Sequence, residues 1–235
     1  LKRLILALQL MTRLPLPNVK ADERDFAAAI GWFPATGIAV GGVVVIAILL
    51  GATIGPWVAA LLGVIAWTAI TGALHLDGLG DIADAAGAAH RHPERLREVL
   101  SDPHVGTFAV VVIALQLAAK LVLLKCVVDV APLWPLVAVA FLARIGPLFW
   151  TEALPLLHDG LAARFHRVGW PMIGVWIAIG LLPGVFSPAL LIAPVLWILW
   201  ALWIKQRIGG ISGDGHGAGI ELVESELLLA LVIAS

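Results

Sequence analysis

The chain has 235 residues, 61% of them hydrophobic and 13% charged, with a net charge of −1 and a mean hydropathy of +1.01. A soluble domain carries roughly 25% charged residues, and a soluble chain this apolar would expose aggregating patches, so the composition excludes a soluble globular domain. The near-zero charge excludes a nucleic-acid footprint, and the single cysteine, Cys126, excludes an internal disulfide and a cysteine-based zinc site.

Residues 1–14 read as a short amphipathic helix, too short to span a bilayer, that lies in the interface or dips into it. Lys2-Arg3 before an apolar run has the look of a secretory leader. Arg13-Leu14-Pro15-Leu16-Pro17 offers no small-residue cleavage site, so the segment is read as part of the protein. Pro15 and Pro17 end the helix, and the charged stretch 18–33 (Lys20, Asp22, Glu23, Arg24, Asp25) reads as a solvated loop leading into the next helix. Apolar stretches long enough to cross a membrane, or nearly so, follow at 34–54, 57–76, 105–127, 132–154, 170–186, 188–204 and, shorter, 221–235. Trp57, Trp134, Trp170 and Trp203 fall near span ends, where indole favours the headgroup layer.

The connectors alternate in charge. Those near 52–57 and 184–188 carry none and 128–134 carries only Asp129, whereas 13–33, 77–104, 156–169 and 205–220 are rich in charge. The positive-inside rule places the rich set on the cytoplasmic face. The expected architecture is an all-α polytopic bundle of about six or seven transmembrane helices plus the N-terminal interfacial or re-entrant helix. It forms one integral membrane domain over 1–235. All plausible chemistry then lies on one side, where a transporter would need polar groups near the midplane.

The densest polar stretch follows the second span. Asp77, Asp81 and Asp84 recur at i, i+4 and i+7, which on a helix is one face. Three such carboxylates repel one another unless a cation neutralises them, and Mg²⁺ held by a few carboxylates typically bridges to substrate phosphates. His75 precedes them, as an interfacial histidine or a substrate contact. The run His90, Arg91, His92, Arg95, Arg97 is either a solvated face or a phosphate-neutralising patch. Asp102 is either a helix cap or a further ligand.

Two more features stand apart. Arg144 lies inside a span, where a buried arginine must pair, and Glu152, eight residues on, is the partner the spacing suggests. Near the end, six glycines in eleven residues (209–219) read as a loop built for backbone approach to a phosphate, although the ending of a P-loop is missing. A plain flexible connector is the other reading. Asp214 lies in this stretch, and Glu221 and Glu224 follow it on one face. Carboxylates, arginines and a glycine stretch on one membrane face, with no nucleophile–base triad, favour phosphoryl or nucleotidyl transfer, in which metal and positioning do most of the work.

The run His75-Leu76-Asp77-Gly78-Leu79-Gly80-Asp81-Ile82-Ala83-Asp84-Ala85 resembles the HLDGLADTADA signature of cobalamin synthases, the adenosylcobinamide-GDP ribazoletransferases. Residues 8–17, Phe33-Pro34 with its glycine-rich span, Ser101-Asp102-Pro103-His104-Val105-Gly106-Thr107-Phe108, and Gly210-Ile211-Ser212-Gly213-Asp214 with Gly217-Ala218 and Glu221 are similar to the same family, in the same order. The chain departs from it at Gly80, Ile82, Pro103-His104 (where Ser-Arg is usual) and His216. The resemblance implies an enzyme of the bacterial cytoplasmic membrane. It would join adenosylcobinamide-GDP to α-ribazole or its 5′-phosphate, with Mg²⁺ as cofactor and GMP released.

On that basis Asp77, Asp81 and Asp84 are expected to bind the metal. Asp84, Asp102 and Arg144 are expected in catalysis. His75, Arg91, Arg95, Gly213, Asp214 and Glu221 are expected to contact substrate. The expected partners are these small molecules and the lipid bilayer, with no nucleic acid and the oligomeric state left open. A CDP-alcohol-type phosphotransferase is the runner-up; its arginine-containing acidic pattern is missing after Asp77-Gly78. A small-molecule transporter is the third reading.

Overall fold

The computed structural model describes residues 1–89, 104–130, 132–157, 160–165 and 168–235. They form a bundle of helices, in which an isolated bridge between Leu156 and Ile211 is the only β pairing among the described residues. The first helix, α1 (Lys2–Met11), buries Leu6, Ala7 and Met11. Lys2 reaches Asp25 at 2.6 Å. Ten residues give about 15 Å of helix, half of a hydrocarbon core, so α1 lies against the bundle without crossing it. The charged stretch contains a short α2 (Glu23–Ala27), capped by the Asp22 carboxylate, which accepts the Asp25 amide at 2.7 Å. A 3₁₀ turn then leads into α3 (Phe33–Ala52).

The next stretch departs from expectation. The span read at 57–76 stops early: α4 runs Pro56–Thr71. Gly72 (φ 62°) and Ala73 (φ 58°) are both left-handed, and their N–H groups turn back to the Ala69 and Thr68 carbonyls. Glycine adopts this conformation freely, whereas for Ala73 it costs about 1–2 kcal/mol. The chain turns by 85° at this corner and starts α5 (Leu74–Ala89). The acidic motif therefore sits on its own helix, angled across the end of α4.

After α6 (Thr107–Val130), the span read at 132–154 is broken into α7 (Pro135–Ala143) and α8 (Gly146–Ala153). Pro147 has no N–H for the Ala143 carbonyl, which is reason enough for the break. Then come α9 (Trp170–Phe186), a 3₁₀ turn at Pro188–Ile192 and α10 (Ala193–Arg207). The last helix, α11, spans Gly213–Ala234 and starts eight residues before the expected 221. Its 22 residues reach about 33 Å.

Four helical stretches among the described residues are long and apolar enough to cross a membrane, and the bent α4–α5 pair would make a fifth. The six or seven spans read from the sequence included α9, which has 17 residues, and α11, which carries four carboxylates. The chain is a multi-pass helical membrane protein. Trp57, Trp134 and Trp170 are exposed at helix starts, while Trp67, Trp150 and Trp197 fill the core. The hub is α11, which packs on α5, α6, α7, α8 and α10 and buries thirteen of its residues.

Candidate active site

The helical reading of the acidic motif holds: Asp77, Asp81 and Asp84 all lie on α5. Asp77 and Asp81 are exposed and Asp84 is half-buried. The second helix of the site is α11. A Cβ at Gly78 would stand 2.8 Å from the Asp214 Cα, and one at Gly217 would stand 3.1 Å from the His75 Cα. The two backbones touch because these positions carry no side chain, as small residues allow between membrane helices. The contact brings Asp214 into the field of Asp81. Asp77 and Asp84 act on Asp81 as well. Neither Asp77 nor Asp81 makes an ion pair among the described residues.

Asp84 is turned differently from its neighbours. Its two oxygens accept the amide of Gly106 at 2.7 Å and that of Ala109 at 3.1 Å. It therefore caps the N-terminus of α6 from another helix, satisfying two of the donors a helix start leaves open. Asp102, read from the sequence as either a helix cap or a further ligand, lies outside the described residues, as do Arg91 and Arg95.

Gly209 and Gly210 lie in the loop expected there, but the other glycines of the stretch are helical. Ser212 caps α11, its hydroxyl accepting the Gly215 amide at 3.1 Å. From Gly213 onward the chain is helical, and a Cβ at Gly215 or Gly219 would collide with Ile204 or with Trp150 and Trp200. These glycines serve helix–helix approach, not a phosphate-cradling loop. Gly213 is exposed at the helix start beside Asp214. His216 faces inward, stacked on Trp150 and within 3.2 Å of the Thr151 hydroxyl.

The remaining expected residues form a second, interior cluster. Arg144 is fully buried and donates to the Glu224 carboxylate and the Ala140 carbonyl, both at 2.8 Å. Its partner is Glu224; Glu152, the partner suggested by spacing, instead accepts the Gly169 amide at 2.7 Å. Lys120 pairs with both Glu221 and Glu224 at 2.6 Å and lies 4.6 Å from the centre of the Trp67 ring. Gln116 donates to Glu221 and to Ser225 at 2.9 Å. Glu221 is thus drawn inside the bundle, 2% exposed. His75 is buried as well, in the fields of Arg144, Glu224 and Lys120. Its ring nitrogens and the Arg144 Nε and Nη2 find no hydrogen-bond partner among the described residues.

The sequence reading also missed Arg13. Its backbone donates to the Ile70 carbonyl at 2.7 Å and its side chain covers Gly72, at the corner that leads into α5. A groove of about 1020 Å³ lies between α5, α6, α10 and α11, lined by Leu79, Ile82, Phe108, Leu199, Trp203 and others. It is mostly apolar, with Gln206, Arg207 and Glu226 also on its lining, and none of the three aspartates lines it.

Among the described residues no three His, Cys, Asp or Glu side chains converge as a ready-made metal site. The donor set nevertheless fits Mg²⁺. It is all oxygen, mutually repelling and solvent-facing, and this ion is commonly held by one or two carboxylates plus waters and phosphate oxygens.

The comparisons agree on the family. The model of the family described as cobalamin-5-phosphate synthase matches residues 3–232. Three curated relatives are named adenosylcobinamide-GDP ribazoletransferase. That of Novosphingobium aromaticivorans is 50% identical over 97% of this chain and 95% of its own length. That of Laribacter hongkongensis is 48% identical over 100% and 98%, and that of Thiobacillus denitrificans 46% over 97% and 94%. No solved structure matches. With its family model matched almost end to end, the chain belongs to the cobalamin-5-phosphate synthase family.

Proposed function

We propose that this membrane transferase joins adenosylcobinamide-GDP to α-ribazole or α-ribazole 5′-phosphate, giving adenosylcobalamin or its 5′-phosphate and releasing GMP. The supporting observation is the gathering of Asp214 with Asp77, Asp81 and Asp84 on two touching helices, in a chain whose relatives carry that activity in their names. The bond that forms joins a ribose hydroxyl oxygen to the phosphorus bearing cobinamide. The bond that breaks is the one to the bridging oxygen, which leaves with GMP.

Asp77 and Asp81 hold Mg²⁺, with Asp214 on the facing helix as a further ligand. Bound there, the ion offsets the diphosphate charge and the charge that builds on the leaving oxygen. Asp84, with both oxygens engaged at the start of α6, keeps fewer lone pairs for a ligand. Its part is then to fix α6 against the site, and the hydroxyl proton goes to Asp102. Arg13, at the corner beside α5, and Arg91 and Arg95 supply cations for the departing phosphate. Arg144 is fully buried and paired with Glu224, which supports a role behind the site and not in contact with substrate. The charge-rich connectors support a cytoplasmic orientation of this face, in a protein of the bacterial inner membrane.

Detergent-solubilised protein given adenosylcobinamide-GDP, α-ribazole and Mg²⁺ is expected to release GMP, and to stop when the divalent ion is chelated. Turnover that ignores chelation removes the metal from the account. Absence of GMP in the complete mixture removes the assignment.

A further inference from the structure

The contact between α5 and α11 that builds the acidic face is backbone against backbone at Gly78 and Gly217, the close approach that small residues allow between membrane helices. Polar contacts hold α11 from its other end. Asp214 belongs to the acidic face, while Glu221 and Glu224 lie seven and ten residues further along, roughly 10 and 15 Å down the helix axis. Both are buried and both are gripped by groups from elsewhere in the chain. Lys120 of α6 holds the two glutamates at 2.6 Å, Arg144, between α7 and α8, holds Glu224 at 2.8 Å, and Gln116 of α6 reaches Glu221 and Ser225. Two cations and two carboxylates balance, so the cluster is neutral with no outside ion.

On the other side, α5 is tied to α6 by Asp84, whose oxygens accept the Gly106 and Ala109 amides. Two helices held on α6, one through Glu221 and Glu224 and one through Asp84, are held relative to each other.

We propose that Lys120, Glu221, Glu224 and Arg144 are positioning residues: their buried ion network sets the register of α11 on α6, which also holds α5 through Asp84, and thereby places Asp214 beside Asp81. The proposal rests on the metal-binding reading of the acidic face. It differs from a substrate-contact role for Glu221 and a catalytic role for Arg144, because neither touches substrate. Register, and not charge at the reacting atoms, is what the network supplies.

The test measures Mn²⁺ binding to the solubilised protein by electron paramagnetic resonance, alongside the Mg²⁺ half-saturation and α-ribazole KM of GMP release. Glu221→Gln unbalances the network while leaving Glu224 with both cations. It should weaken Mn²⁺ binding and raise the Mg²⁺ half-saturation at least about fivefold, with the α-ribazole KM unchanged. The double variant Lys120→Met/Glu221→Gln restores neutrality and leaves the Arg144–Glu224 pair. It should recover Mn²⁺ binding to within about twofold of the unsubstituted protein. Unchanged Mn²⁺ binding in Glu221→Gln, whatever its melting temperature, overturns the proposal. So does a double variant no better than the single one, which would make Glu221 a direct contact. Unsubstituted protein that binds no Mn²⁺ overturns the metal reading itself, and with it this proposal; binding that is present but indifferent to the variants overturns the proposal alone.

Discussion

The molecule holds two groups of carboxylates that differ in almost every physical respect. On the acidic face, Asp77 and Asp81 are exposed, beside Asp84 and Asp214, and no described lysine or arginine pairs with Asp77 or Asp81. In the interior, Glu221 and Glu224 are buried and matched by Lys120 and Arg144 within 2.8 Å. Buried charges persist in a bilayer protein only when paired, so the interior cluster balances its own charge. Asp77 and Asp81 have no such match among the described residues, and that contrast is what the proposal of a divalent ion rests on.

Substitutions can break that contrast in graded ways. The largest effect is expected from Glu224→Leu, which leaves two buried cations facing one remaining acid. Loss of one partner of a buried pair typically costs about 3–5 kcal/mol, to be read as a fall in thermal stability in detergent. Next is Asp81→Asn, whose effect falls on catalysis. Loss of a metal ligand should lower the rate of GMP release at least about 10²-fold with little change in melting temperature, since a repelling charge is removed. Near-normal turnover in this variant would reject the assignment of Asp81.

Gly78→Ala pushes a Cβ into the Asp214 backbone and should cost about 1–3 kcal/mol of stability by overpacking, with a rate loss because the two halves of the acidic face separate. The smallest effect is expected from Asp84. Asp84→Ala removes a helix cap worth about 1 kcal/mol, whereas Asp84→Asn keeps a carbonyl oxygen for one amide and should lose less. If both variants instead fall as far in rate as Asp81→Asn while keeping their stability, Asp84 is a metal ligand and its cap is secondary.

The acidic face was half legible in the sequence. The i, i+4, i+7 spacing of Asp77, Asp81 and Asp84 fixes a shared helix face whatever the surroundings. That Asp84 turns to α6 could not be read, because its partners are the backbone amides of Gly106 and Ala109, 22 and 25 positions away. The glycine stretch was misjudged for a related reason. Each glycine disfavours a helix by up to about 1 kcal/mol relative to alanine, so six in eleven argue for a loop. That preference is overridden by contacts with His75, Trp150, Trp200 and Ile204.

The corner at Gly72-Ala73 was hidden inside an apolar run that reads as one span, and only backbone dihedrals reveal it. The interior network was the least legible part. Lys120 and Arg144 were visible as charges inside spans, but their partners lie 104 and 80 positions away, and spacing pointed to Glu152 instead.

The account stands or falls on whether the acidic face grips a nucleotide diphosphate through a divalent ion. Calorimetric titration of GDP into the purified protein, with and without Mg²⁺, tests this without any turnover. Binding should appear only when Mg²⁺ is present and should be lost in Asp81→Asn. Equal GDP affinity in the presence of chelator, or in the Asp81→Asn protein, would contradict it.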